Sequence, residues 1–303
     1  MIGRIAVLGG GHGLAAVLGA LRDVPCQLTA VVTIADDGGS SGELRRRCGG
    51  PAVGDLRRAL IALADDDAPL ARALERPVTV EHLGRHPLGN IVIRALIDVF
   101  GDLERGIAWL AAELGIHTQV LPATVAPLSL RGQAGRQVLE GESAIGTSPT
   151  LIRRLRFVPE RPAVSEAALA AVAESDLVLL GPGSLFTSVL AVCALPDMLA
   201  ALAATAARVT WIGNLQAEPG ETANMSARRH LSVLRRHGVR VDAVLYDPES
   251  ELAFAPGELL RQGVEALPFA LQSERRGVHD PQLLRVALTE LLAERPATST
   301  AVG

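Results

Sequence analysis

An unbroken apolar tetrad that runs straight into glycines constrains this chain more than any other feature. Ile5, Ala6, Val7 and Leu8 carry no polar interruption. Glycine then stands at 9, 10, 11 and 13, and an Ala/Leu/Val pattern with helical spacing runs from Leu14 to Leu21. Strand, glycine turn and helix form the unit with which α/β proteins aim unpaired backbone N–H groups and a helix N-terminus at a phosphate. Glycine reaches positive φ at low cost and lets a diphosphate approach the backbone with no Cβ in between. Gly9, Gly10, Gly11, His12 and Gly13 are therefore candidate ligand contacts. The spacing is not G-x-G-x-x-G, because the third glycine would fall at Leu14, and no lysine follows as a Walker loop requires. A strand-to-helix turn with no ligand is the plainer alternative.

A second strand is expected over Gln27–Ala35. It runs into Asp36-Asp-Gly-Gly-Ser-Ser-Gly42, which is too polar and glycine-rich to continue it. In an open α/β sheet, ligands gather beyond the carboxyl ends of the strands, which sets this loop beside the first. Asp36, Asp37, Ser40 and Ser41, with the N–H groups of Gly38 and Gly39, suit a ribose, a phosphate or a metal ion. An Asx turn followed by a helix cap is the alternative.

Further along, Glu43–Arg47 reads as a short helix. Asp55 reads as the cap of a helix over Leu56–Ala64, and a helical stretch occupies 68–76. Asn90, one of three asparagines in the chain, opens the apolar helix Leu88–Phe100. A buried amide there needs partners, either backbone groups or a ligand. From Gln119 to Pro159 the texture changes to short β-prone runs, a strand-rich excursion whose only chemically suggestive piece is Gly141-Glu-Ser143, which a hairpin turn explains as well.

The opening pattern then recurs. Strand Asp176–Leu180 breaks into Gly181-Pro-Gly-Ser-Leu-Phe-Thr-Ser188, a second anion-binding geometry in which Gly181, Gly183, Ser184 and Thr187 are the candidate contacts. Strand Arg208–Asn214 ends on Asn214 and the loop Gln216–Thr222. A helix over 226–237, a strand Val241–Tyr246 and a helix over 280–293 complete the expected core, with Arg295–Gly303 a frayed tail. Four polar, glycine-bearing strand ends on one rim place the site there.

Apolar residues make up 49% of the chain and aromatic ones only 3%, so the core must be aliphatic. A net charge of −4 argues against a general nucleic-acid footprint. Cys26, Cys48 and Cys193 are odd in number and widely spaced, which suits a reducing cytoplasm better than a disulfide framework. The apolar run after Arg4 is too short for a signal peptide. Pro196-Asp197 interrupts the apolar stretch Leu185–Ala207, so two packed helices are expected there rather than a membrane span.

In order along the chain, Gly9–Leu14, Val32–Gly42, Gly54-Asp-Leu-Arg57, His86–Asn90, Gly181–Ser188 and Pro219-Gly-Glu-Thr222 resemble the successive motifs of the YvcK-type gluconeogenesis factors. These are members of the CofD-like superfamily named for 2-phospho-L-lactate transferase. The resemblance implies one Rossmann-like α/β domain over 1–293, three layers with helices on both faces of the sheet, with a small excursion near 119–159 and a flexible tail over 294–303. It also implies a cleft for a nucleotide diphosphate. For the YvcK-type members it implies binding of a nucleotide sugar, UDP-N-acetylglucosamine, and a link between carbon supply, cell-wall synthesis and cell shape, with no cofactor required. For the CofD branch it implies Mg²⁺-dependent transfer of a phospholactyl group from a nucleotide diphosphate donor. In that reading Asp36 or Asp37 holds the metal and Arg57 neutralises developing charge. A homo-oligomer is compatible with either. His12 stands where many members have Thr, and Phe186 where Tyr is usual. The long Asp-Asp-Gly-Gly-Ser-Ser-Gly loop resembles the YvcK branch.

Overall fold

Aliphatic and β-branched runs bounded by glycine set the strands of the computed structural model, which describes residues 3–82, 84–255 and 257–293. In chain order they begin with β1 (Arg4–Gly9) and β2 (Gln27–Val32), followed by the hairpin β3 (Pro77–Val80) and β4 (Gly84–Pro87). Next come β5 (Gln119–Pro122) and the antiparallel trio β6 (Ser129–Ala134), β7 (Gln137–Glu140) and β8 (Ile152–Val158). The last four are β9 (Leu177–Leu180), β10 (Arg208–Ile212), β11 (Ala243–Tyr246) and β12 (Glu265–Pro268).

Seven of these strands make one sheet in the order β12-β11-β10-β9-β1-β2-β5. Every neighbouring pair in it is parallel. A parallel sheet is covered on both faces, and this is why β1 and β9 lack polar alternation. Ile5, Val7 and Leu8 of β1 and all four residues of β9 are at most 1% exposed. Burying each such side chain contributes about 1.5–3 kcal/mol.

Chain direction across the sheet reverses at β1, whose neighbours are β2 on one side and β9 on the other. Right-handed crossovers then put α1 (Gly11–Leu21) on one face, where it packs on α3 (Gly54–Leu63) and the helix Pro281–Ala293. Helices Glu166–Glu174 and Pro196–Ala204 pack together on the opposite face. The result is a three-layer Rossmann-like sandwich with a side sheet, β7-β6-β8, between Ser129 and Val158.

Several boundaries differ from the sequence reading. Helix α1 begins at Gly11 rather than Leu14, so the last two glycines of the turn lie inside its first turn. The polar stretch after β2 is only partly loop, because α2 (Gly39–Cys48) starts within it. Strand β2 ends at Val32, three residues early. The hairpin β3–β4 and the edge strand β12 were not expected from the sequence. The segment 294–303, read as a tail, lies outside the described residues.

No described helix is long and apolar enough to cross a membrane. The apolar segments Leu185–Cys193 and Pro196–Ala204 meet at 69°. Leu185, Leu190, Cys193 and Met198 are at most 1% exposed within the core.

Candidate functional site

Ligands of open α/β sheets bind where the strand order reverses, in the crevice outside the carboxyl ends. Here that point lies between β1 and β9, and the loops leaving these strands are the two glycine turns. They touch. A Cβ on Gly13 would sit 1.8 Å from the carbonyl oxygen of Pro182, so the first turn of α1 approaches the second loop as only glycine allows.

Beside this junction is a pocket of about 350 Å³. Gly11 and His12 of the first turn line it, with Asp36, Gly38, Gly39, Ser40 and Ser41 of the second loop, Arg57 and Arg58 of α3, and Asn90. Of the Gly181–Ser188 loop only Ser188 reaches it.

One wall of the pocket can donate hydrogen bonds. The first N–H groups of a helix have no intrahelical partner. In α1 the Gly11 N–H donates to Asp55 Oδ2 at 2.9 Å, while Leu14 closes the first helical bond to Gly10. That leaves the His12 amide, on the pocket lining, without a hydrogen bond among the described residues. Arg57 donates through Nε to Asn90 Oδ1 at 3.0 Å, and Asn90 Nδ2 donates to Ser40 Oγ at 2.8 Å. Ser40 Oγ in turn meets His86 Nδ1 at 2.8 Å. The outer nitrogens of the Arg57 fork make no hydrogen bond among the described residues. Burial, with the charge of Arg58, lowers the pKa of Arg57 from its ordinary value.

The lining also carries carboxylates. Asp36 Oδ1 accepts from the Gly38 N–H at 2.8 Å, an Asx turn within its own loop. Glu142 also lines the pocket. Burial first, then a hydrogen bond with Asp36 and the charges of Asp36, Asp55 and Asp37, pushes its pKa up to about 9. Asp37 points elsewhere, its Oδ1 accepting from the Ser143 N–H at 2.9 Å.

Asp55 is not the helix cap the sequence suggested. Helix α3 starts at Gly54, and Asp55 in its first turn is 7% exposed and tied to the Gly11 amide and to Arg58. Burial raises its pKa despite those partners. Gly141-Glu-Ser143, read as a hairpin turn, instead leads into the short helix Glu142–Gly146. Glu142 and Ser143 belong to the stretch the sequence marks as chemically suggestive without assigning it a role, whereas the supporting roles of Asp55 and Arg58 were missed.

The second glycine turn is built differently. A π-helical turn, Leu185–Val189, follows it, and Ser184 and Thr187 hydrogen-bond each other through their hydroxyls. Asn214 Nδ2 donates to the Gly183 carbonyl at 2.7 Å. Glu221 Oε1 accepts from the Phe186 N–H at 3.2 Å, so the protein's own carboxylate stands at this helix start. Glu221 is 1% exposed, and burial pushes its pKa up to about 7. Gly181, Gly183, Ser184, Thr187 and Asn214 are not in the lining of this pocket, and Gly183, Ser184 and Asn214 remain partly exposed. Phe186 is fully buried, edge-on to His237 at 6.1 Å, while His12 is exposed at the pocket mouth.

Mg²⁺ takes oxygen ligands and is usually held by one or two carboxylates plus substrate phosphates. Asp36 and Glu142 supply that donor set beside the His12 amide. Asp37 does not join them, and no three metal-ligating side chains converge among the described residues. The fit is to a cation shared with a ligand.

Residues 5–260 match the family described as 2-phospho-L-lactate transferase CofD. A Mycobacterium tuberculosis protein named "Putative gluconeogenesis factor" is 39% identical, the alignment covering 97% of this chain and 91% of the relative. The gluconeogenesis factor of Bacillus subtilis is 32% identical over the same shares. A crystal structure of a UPF0052-family protein from Bacillus halodurans superposes with a TM-score of 0.90 at 30% identity, over 95% of this chain and 99% of the other.

Proposed function

The chain belongs to the CofD family, within its gluconeogenesis-factor group, and from that premise we propose that it binds UDP-N-acetylglucosamine and links carbon metabolism to cell-wall synthesis and cell shape. One observation carries the reading: the lining of the pocket of about 350 Å³ at the switch point combines hydrogen-bond donors with carboxylate acceptors. The His12 amide, the N-terminal dipole of α1 and the Arg57 fork suit a diphosphate. Asp36 and Glu142 in the same lining accept hydrogen bonds from hydroxyls, as a ribose or sugar presents. A nucleotide sugar carries both groups on one molecule. The volume lies at the small end of the range for ligand pockets, so part of the ligand stays outside it.

The test is thermal. A ligand that binds only the folded state stabilises it by about 2.7 kcal/mol at a hundredfold excess over its dissociation constant. UDP-N-acetylglucosamine should raise the melting temperature more than GDP, GTP or NAD at equal concentration, and UDP alone should give part of the shift. A larger shift with GDP than with any uridine nucleotide would overturn the assignment.

The Asp36–Glu142 pair favours a second reading, Mg²⁺-dependent transfer from a nucleotide diphosphate donor. A diphosphate beside these carboxylates is repelled unless a proton or a cation lies between them. Arg57 would neutralise charge on the transferring group. Nucleotide binding that collapses on chelation with EDTA supports this reading, and binding indifferent to EDTA supports the metal-free one.

A further inference from the structure

A groove of about 920 Å³ runs between β8, the helix Ala227–Arg236 and the turn Glu258–Arg261. It shares no lining residue with the pocket at the switch point. Five arginines line it, Arg153, Arg228, Arg229, Arg236 and Arg261, and all five are exposed. Among the described residues Glu258 is the one acidic side chain in the lining, and it meets only Arg228, at 3.5 Å. The other four arginines make no ion pair among the described residues. In a chain of net charge −4 this is a concentrated reversal of sign.

The placement also works against local stability. Arg228 and Arg229 stand in the first turn of their helix, where no acidic residue is present and the Ser226 side chain makes no capping bond. Cations at the positive end of a helix dipole are destabilising rather than stabilising. Broken local rules of this kind concentrate at functional sites.

We propose that this groove is the docking surface for an acidic, carboxylate-rich segment of a partner protein. Along the helix, Arg228 and Arg236 are eight residues apart, about 12 Å at 1.5 Å per residue, so the surface fits an elongated, multiply charged occupant. Guanidinium forks bind carboxylates in bidentate fashion. Phe, Tyr and Trp are absent from the lining, so bases find no stacking platform. The single imidazole, His237, is held neutral by burial, taking the Leu155 N–H on Nε2 and donating from Nδ1 to Val233. The overall negative charge repels long polyanions and anionic bilayers at a distance, whereas a short acidic segment can reach the groove alone.

The probe is a fluorescein-labelled peptide of ten glutamates, titrated by fluorescence anisotropy against the full chain. Saturable binding is expected, weakened by added salt. The double variant Arg229→Glu/Arg236→Glu should lower the affinity at least about tenfold, equivalent to roughly 1.4 kcal/mol. Both side chains are exposed, and an unchanged melting temperature shows that the variant is folded; Arg229→Gln/Arg236→Gln serves if it is not. A thymidine decanucleotide should bind more weakly than the peptide. No saturable peptide binding, equal binding by the charge-reversed and parent proteins, or tighter binding of the oligonucleotide would each overturn the proposal. None of these outcomes depends on the nucleotide-sugar reading.

Discussion

Gly11 and Gly13 occupy one turn for different reasons, and their substitutions should separate. A Cβ on Gly13 meets the Pro182 backbone, which cannot give way, whereas Gly11 sits at φ +64° with Ser188 Oγ 3.7 Å from its own virtual Cβ. Gly11→Ala should keep the fold at a cost of roughly 1–2 kcal/mol for the left-handed backbone. Gly13→Ala should cost more, because the two glycine turns must part; equal urea midpoints for the two variants would contradict this. Glu221 makes a second prediction. Its ordinary pKa of 4.5 is pushed up to about 7 in the folded chain. Below pH 4.5 both states hold the proton, and above about 7 both have lost it, so stability falls across that window by about 3 kcal/mol. Glu221→Gln, which can still accept from Phe186, should remove that fall and be the more stable protein at pH 8. Parallel pH profiles of the two proteins would contradict it. For Asn90 the sequence pointed to a ligand or the Asp36–Ser41 loop; Ser40 of that loop is one partner, 50 residues away, and Arg57, 33 residues away, is the one not foreseen. Asn90→Leu should therefore cost roughly 1–3 kcal/mol of stability by stranding both, read by thermal denaturation.

Among the elements, α1 and α3 are coupled through the bond from Gly11 N–H to Asp55. Asp55→Ala leaves that amide and Arg58 without their acceptor. It should destabilise by roughly 1–3 kcal/mol, with hydrogen exchange quickening first at the N-terminal turn of α1. Protection unchanged there would mean that packing alone holds the turn. The strands rich in apolar and β-branched residues, β1, β2, β9, β10 and β11, were legible because a doubly covered parallel sheet demands such runs. Strand β12 was not, because Glu265-Ala-Leu-Pro268 is an edge strand with one buried side chain. The hairpin β3–β4 is two four-residue strands carrying Pro77 and Pro87 with only partial burial, too short and proline-marked to read as strands. Asp55 looked like a cap because aspartate before an apolar helix usually is one. Its carboxylate instead serves a residue 44 positions away, which local reading does not show. Glu142 stood in a stretch marked as chemically suggestive, but its role was not legible for the same reason: its partners belong to α3 and to the loop after β2.

For the whole molecule, the crevice between β1 and β9 was readable because two glycine turns must share one rim when their strands are parallel neighbours. The division of labour between them was not readable, since the second turn is occupied by Glu221, Asn214 and its own hydroxyls. The direct measurement is a crystal structure of the chain grown with UDP-N-acetylglucosamine. It should place the diphosphate oxygens against the His12 amide and the Arg57 fork, with sugar or ribose hydroxyls toward Asp36 and Glu142. A diphosphate seated over Ser184–Thr187 or in the arginine groove, or a pocket without ligand density at saturating nucleotide sugar, would contradict the account.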